Sequence, residues 1–269
     1  MSLRINSNIE AFNAHRQLAA TSERASKSME RLSSGYRINR AADDAAGLAI
    51  SEKLRGQIRG LAQAQRNAQD GVSLVQTAEG SLNEVHSMLQ RVRELAVQYQ
   101  NGTLSTSDKA AITAEAKQLS QEIERIGTGA DFNGIKLLDG SSTTISFQVG
   151  ANDNDTIAVT TASLGSKIGG TVGDIDITTS TSIAGIDKAI EAVSTLRGSF
   201  GAVQNRLEHT LNNLATYQEN LTASESRIRD VDMAAEMVEF SKNQILQQAG
   251  TSMLAQANQA PQAVLSLLR

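Results

Sequence analysis

Leu54, Leu61, Ala68, Val75, Leu82, Leu89 and Ala96 stand seven residues apart, and Ala78, Val85, Val92 and Tyr99 repeat the interval three positions on. Side chains in that a/d pattern form one stripe along a helix, and the stripe is covered best by another helix wrapped against it. A helix over residues 45–100 would run about 80 Å at ~1.5 Å per residue. Ile186, Val193, Phe200, Leu207, Leu214, Leu221, Ile228 and Ala235 form a second row of the same period. Leu196, Val203, Tyr217, Val231, Val238 and Ile245 sit at its complementary phase. A shorter helix reads from Ile112, Ala116, Leu119, Ile123 and Ile126, after Gly punctuation at Asn101-Gly102-Thr103, with Ser107 or Asp108 as its cap.

Composition agrees with helices that bury one another. Apolar residues make up 40 % of the chain but aromatics only 3 %, so the core must be built from Ala, Leu, Ile, Val and Met. A single Pro leaves long helices unbroken. The expected fold is therefore mainly α, a long antiparallel coiled-coil helical bundle. Net charge is −4 with both signs interspersed, which gives no basic footprint for nucleic acid. No apolar run approaches the ~18 residues of a membrane span. Zero cysteines remove disulfides, thiolate metal sites and Cys nucleophiles. The N-terminal stretch lacks the apolar core of a secretory signal, so export without a cleaved signal peptide is the expectation.

Residues 127–182 lose the heptads. Phe132-Asn133-Gly134-Ile135 carries an Asn-Gly turn signal, and Ile145, Phe147 and Val149 alternate as a half-buried strand would. Ile157 and Val159 supply a partner strand across the Ala151–Asp155 turn, giving a small β-hairpin region. Residues 160–182 are rich in Gly and Thr and read as a solvated surface segment. At the two ends, Ile5, Ile9 and Phe12 stand at helical spacing, then Ala11, Leu18, Ala25 and Leu32 form a sparse heptad row, and the chain finishes in a Leu-rich stretch. Neither end has enough apolar area to offset its own ordering entropy. Each is expected to order when another chain covers it, which points to assembly.

Specific motifs carry the reading further. Arg31-Leu32-Ser33-Ser34-Gly35-Tyr36-Arg37-Ile38-Asn39, Asp43-Asp44-Ala45-Ala46-Gly47, Arg66-Asn67-Ala68-Gln69-Asp70-Gly71 and the run Leu89 to Gln98 closely resemble the N-terminal region of bacterial flagellins. The run Gln244 to Ser252, with Ala255-Gln256-Ala257-Asn258-Gln259 and the Leu-rich end, resembles the same family's C-terminal region. The resemblance covers roughly residues 1–140 and 183–269. It implies paired terminal helices at 1–40 and 230–269 as the inner filament core. It also implies an outer helical-bundle domain with β-hairpins at 41–140 and 183–229, and a short variable surface insert at 141–182. Gly35 would stop the first helix and form the hinge between those layers. The implied function is a structural subunit that polymerises into the extracellular flagellar filament used for swimming. The implied partners are further copies of itself, the flagellar export apparatus and an export chaperone, and hook-junction and cap proteins. Flagellins also present a helical surface to a Toll-like receptor of animal hosts, and Arg91, Leu95 and Glu115 match its contact positions.

Enzyme chemistry fails at its first requirement. His15, His86 and His209 are isolated on separate helices, with no His pair four apart and no phosphate-binding loop, so no cofactor or metal is expected. Asp43-Asp44 precedes a helix start, where negative charge meets the helix dipole, and reads as capping. The Ser/Thr clusters and the Asn101-Gly102-Thr103 glycosylation pattern are ordinary loop composition. The expected activity is polymerisation through apolar stripes carried by Ile5, Ile9, Phe12, Leu18, Val231, Val238, Ile245, Leu265 and Leu268. Heterologous contacts that do not close generate an open helical filament. The alternatives are a hook–filament junction protein, a coiled-coil adaptor of fixed size, and an enzyme carried in the insert.

Overall fold

A computed structural model describes residues 8–141, 144–161, 163–167, 177 and 182–267, with backbone alone for 166, 167, 182 and 260–267. Most of these residues are helical. The elements are α1 (Ile9–Ser34), α2 (Ala45–Tyr99), α3 (Thr106–Gly129), β1 (Asp131–Phe132), β2 (Ile135–Lys136), β3 (Thr144–Gln148), β4 (Thr156–Thr160), α4 (Leu164–Lys167), α5 (Ser182–Arg229) and α6 (Met233–Leu267). They form two compact units. One contains the described residues up to Gly56 and from Asn220 onward, and the other Gln57–Glu219.

Within Gln57–Glu219, the heptad residues of α2 and α5 supply the core. Ala68, Val75, Ala78, Leu82, Val85 and Leu89 meet Ala189, Val193, Leu196, Phe200 and Leu207, with Ile123 of α3 completing a three-helix cluster. The Glu79–Arg197 pair (3.6 Å) and the Arg93–Asp187 pair (2.6 Å) hold α2 and α5 antiparallel. Val92, Leu95, Ala96, Ile112, Ala116 and Ile186 form a second cluster where α2 turns back into α3. The β-hairpins lie against the first cluster. Asn133 and Gly134, both at positive φ, make the tight turn between β1 and β2. In the second hairpin Phe147 pairs with Ile157 and Ile145 with Val159, so one face of the ladder points into the core.

Three details differ from the sequence reading. The α3 cap is Ser105. Its hydroxyl oxygen accepts from the Asp108 backbone N–H (3.2 Å), while the Asp108 carboxylate accepts from the Ser105 N–H (3.1 Å). This reciprocal box needs Ser three positions before the acid, a spacing that Ser107 cannot offer. The stretch read as solvated contains Leu164 and Ile177, both buried, one in each cluster. Its polar composition hid two anchors. Finally, Tyr217, placed in the second seam, is exposed.

Ser105→Ala should cost about 1 kcal/mol of stability, the usual worth of such a cap. Thermal unfolding at neutral pH measures this. The Ser105 hydroxyl and N–H hold the Asp108 carboxyl below its ordinary value. A depressed carboxylate stabilises above its unfolded pKa of about 3.9, and that contribution is lost as pH falls through the lower folded value. The cost of Ser105→Ala should therefore shrink in acid.

Candidate assembly surface

The α1–α6 pair is antiparallel. Asn8 donates from its side chain to the Ala257 carbonyl (2.8 Å), Leu18 lies over Gly250, and Arg31 meets Glu236 (3.6 Å) at the other end. The covered stripe of α1 runs Ala11, Ala14, Leu18, Thr21, Ala25, Ser28 and Leu32, alternating three and four residues. On α6 the matching stripe is Glu236, Phe240, Asn243, Gln247, Gly250, Leu254 and Ala257. Such a seam is thin, because small and polar side chains dominate it. Ser28 and Asn243 are buried, and the Asn243 amide nitrogen has no hydrogen-bond partner among the described residues. Apolar side chains therefore make up only part of what this stripe buries.

Gly35 ends α1 at φ +77, a left-handed position that glycine occupies without strain, and its N–H donates to the Arg31 carbonyl (2.8 Å). Two chain crossings then bind each other. The Arg37 N–H donates to the Arg229 carbonyl (2.7 Å), and the Val231 N–H to the Gly35 carbonyl (3.0 Å). Arg229 stacks on the Tyr36 ring at 4.8 Å and pairs with Glu52 at 2.6 Å. Arg229, with Arg55, holds the Glu52 carboxyl below its usual value. Asp43 and Asp44 divide the work assigned to them. Asp43 accepts from the backbone N–H groups of Arg40 and, with smaller effect, Asn39, which lowers its pKa, and Asp44 caps α2 through the Gly47 N–H (2.8 Å).

Most of the apolar surface on this pair lies outside the seam. Val238 and Ile245, 69 % and 66 % exposed, stand opposite the seam row of α6 at 100° per residue. Met237 lies on one flank, and Leu246 and Met253 on the other; all three are exposed. On α1, Ile9 and Phe12 are exposed while Leu18 is half-covered by α6. Val231 sits in the crossing before α6. Val231, Val238 and Ile245 do not continue the α5 seam, because α5 ends at Arg229 and Asp232 starts a new helix by accepting from the N–H groups of Ala234 and Ala235. The break resets the phase. Phe240, Met237 and Leu246 are surface or seam residues that the seven-residue count passed over for this reason. Ile5 and Leu268 lie outside the described residues, as does the side chain of Leu265.

On the three-helix unit, Arg91 donates from its guanidinium to Glu115 (2.8 Å) and Glu94 (3.0 Å), linking α2 to α3 at an exposed surface. Both acids raise the Arg91 pKa further, Glu115 first. Leu95 corrects the expectation made for it. It is 1 % exposed, inside the second cluster, because it occupies the inward face one turn from Arg91. Leu95 supports this surface from beneath. The histidines stand apart: His15 and His209 are exposed and His86 is half-buried.

A helical pair with one covered and several uncovered apolar faces, joined to a three-helix bundle, belongs to the class of self-associating coiled-coil proteins. Residues 5–143 match the family model for the bacterial flagellin N-terminal helical region, and residues 183–268 that for the bacterial flagellin C-terminal helical region. The chain is 56 % identical over 270 residues to a flagellin of Halalkalibacterium halodurans, covering 98 % of this chain and 99 % of the relative. It is 50 % identical over 306 residues to a flagellin of Bacillus subtilis (99 % and 100 % covered). Identity is also 50 %, over 287 residues, with the flagellar filament 33 kDa core protein of Treponema phagedenis (98 % and 99 % covered). The chain belongs to the bacterial flagellins, the structural subunits of the extracellular flagellar filament.

Proposed function

We propose that this subunit polymerises by burying the outer faces of its α1–α6 pair against neighbouring copies. The observation that carries this reading is the distribution of apolar side chains around α6: Met237, Val238, Ile245, Leu246 and Met253 occupy three faces that α1 leaves uncovered. An apolar stripe on a helix is ordinarily one that packs against another element. One partner helix covers one stripe, so further copies must cover the rest. The carriers are Ile9, Phe12, Val238 and Ile245 directly, with Leu18 holding the pair together. Ile5, Val231, Leu265 and Leu268 are proposed as further apolar contributors to assembly on their sequence positions alone.

In this reading residues 1–40 and 230–269 form the filament's inner core, and 41–140 with 183–229 its outer bundle. The 141–182 insert lies at the surface, anchored by Leu164 and Ile177. The subunit acts by assembly and carries out no catalysis. An absence of disulfides and a single Pro suit a chain that crosses the flagellar export apparatus unfolded, with a chaperone shielding the terminal stripes. Hook-junction and cap proteins would then meet the filament ends through the same helical faces. Seeded polymerisation of purified monomer, followed by electron microscopy and limited proteolysis, tests the reading. Long tubes of uniform diameter should appear as both termini gain protease resistance, and small particles of fixed size would defeat it.

Recognition by a host Toll-like receptor rests on the exposed Arg91–Glu115 pair. Arg91→Ala removes both ion pairs and should lower signalling in a receptor reporter-cell assay by roughly tenfold or more, the loss of an interfacial Arg contact. Unchanged signalling at equal monomer concentration would remove Arg91 from that surface.

A further inference from the structure

Four methionines lie on the α1–α6 pair, and their placement has a chemical consequence for assembly. Met29, Met233, Met237 and Met253 are between 48 % and 63 % exposed. By contrast, Met88 packs against the main core cluster. The chain has no cysteine, so no thiol competes for oxidants. Among the described residues, the most oxidisable accessible side chains are therefore concentrated on the pair whose outer faces are proposed to meet other copies. Met29 lies near the end of α1 that Arg31 and Glu236 bring beside the start of α6, so three of the four cluster at one end of the pair.

We infer that these four methionines form a modification site where a peroxide oxidant switches the subunit out of its assembly-competent state. The inference rests on the burial of these faces in the polymer. Each thioether sulfur attacks one oxygen of hydrogen peroxide and the O–O bond breaks. The sulfur, losing two electrons, becomes a sulfoxide, and the peroxide is reduced to one water. The product is a polar, chiral side chain in place of a flexible apolar one. In the monomer the new S=O group is hydrated at little cost. At a subunit interface it must give up that water, which costs free energy wherever no donor replaces it. Oxidation therefore acts on the polymerisation equilibrium and spares the monomer's fold. Reduction of the sulfoxides restores assembly, so the modification is reversible.

Peroxide treatment of the monomer, with peptide mass spectrometry locating the added oxygens, tests this. The oxidised monomer should keep its helicity by circular dichroism while the critical concentration for seeded assembly rises about tenfold or more. Methionine sulfoxide reductases should reverse the rise. The M29L/M233L/M237L/M253L variant carries no oxidisable sulfur at these positions, so its own critical concentration, whatever its value, should be the same before and after peroxide. An unchanged critical concentration for oxidised wild type, a rise that the reductases do not reverse, or an equal rise in the Leu variant would each overturn the inference. Should that variant misfold, the reductase arm on wild type decides alone. Preformed filaments separate the two ideas. Slow oxidation of the four sites there, relative to monomer, shows that the faces are buried, whereas equal rates would defeat the assembly reading itself.

Discussion

Val238→Asp combined with Ile245→Asp should raise the critical concentration for seeded polymerisation by roughly 100-fold or more, because burying an unpaired carboxylate at an apolar interface costs several kcal/mol. Both side chains point away from α1 and are more than half exposed. The monomer's own stability should then move by no more than about 0.5 kcal/mol, the range for surface substitutions. That separation of effects is the useful part. A variant that failed to assemble because its helices had melted would show lost helicity and a lower unfolding temperature. The double Asp variant should show neither. Sedimentation of seeded mixtures over a concentration series gives the critical concentration, and circular dichroism of the same samples reports the fold. Normal tubes at the wild-type threshold would place these faces outside the subunit contacts and end the assembly reading.

Phe200→Ala should have the opposite profile. Of five phenylalanines, Phe200 alone is fully buried, at 1 % exposure in the first cluster among α2, α3 and α5. A core so poor in aromatic residues has few large side chains able to relax into the space left behind. Truncation should cost about 3–5 kcal/mol. For a unit of this size each kcal/mol lowers the melting temperature by about 2–4 °C, so a fall on the order of 10 °C is expected. Tyr217→Ala, at an exposed position that the heptad count had assigned to the same seam, should change stability by less than about 1 kcal/mol. Thermal unfolding of the three proteins settles the comparison. Equal effects of the two substitutions would mean that the packing around Phe200 is not the core described here.

The contrast between those two aromatic residues shows where sequence arithmetic succeeds and where it stops. Long rows were legible because helix geometry repeats: Leu61, Ala68, Val75, Leu82, Leu89 and Ala96 are all buried, as are Ile186, Val193, Phe200, Leu207 and Leu214. The β-hairpins were legible because Asn133-Gly134 encodes a tight turn and Ile145, Phe147, Ile157 and Val159 alternate. Gly35 was legible as a stop, since a left-handed cap favours a residue without a Cβ. The candidate surface was only partly legible. Counting by sevens carried Val231, Val238 and Ile245 through the α5–α6 break as if one helix continued. It could not separate a row that meets α1 from a row that meets nothing within the chain. Leu95 was misplaced for a related reason: matching a motif position does not reveal which way a side chain points.

What the sequence determined by itself was local and periodic: which residues form helices, where they stop, and which side chains share a stripe. Those properties follow from backbone sterics and the 3.6-residue turn, and they need no knowledge of distant residues. Only the tertiary structure decided which stripe is used. Between α1 and α6 the covered seam consists of Ala, Ser, Thr, Asn, Gln and Gly with a few larger residues, while Val238, Ile245 and the methionines face outward. A rule that buries the most apolar stripe would have chosen the reverse. Pairing depends on close backbone approach, of the kind Gly250 allows beneath Leu18, and on the Arg31–Glu236 and Asn8–Ala257 contacts that set the register. These contacts join residues more than 200 positions apart, and their geometry exists only once the chain has folded back on itself.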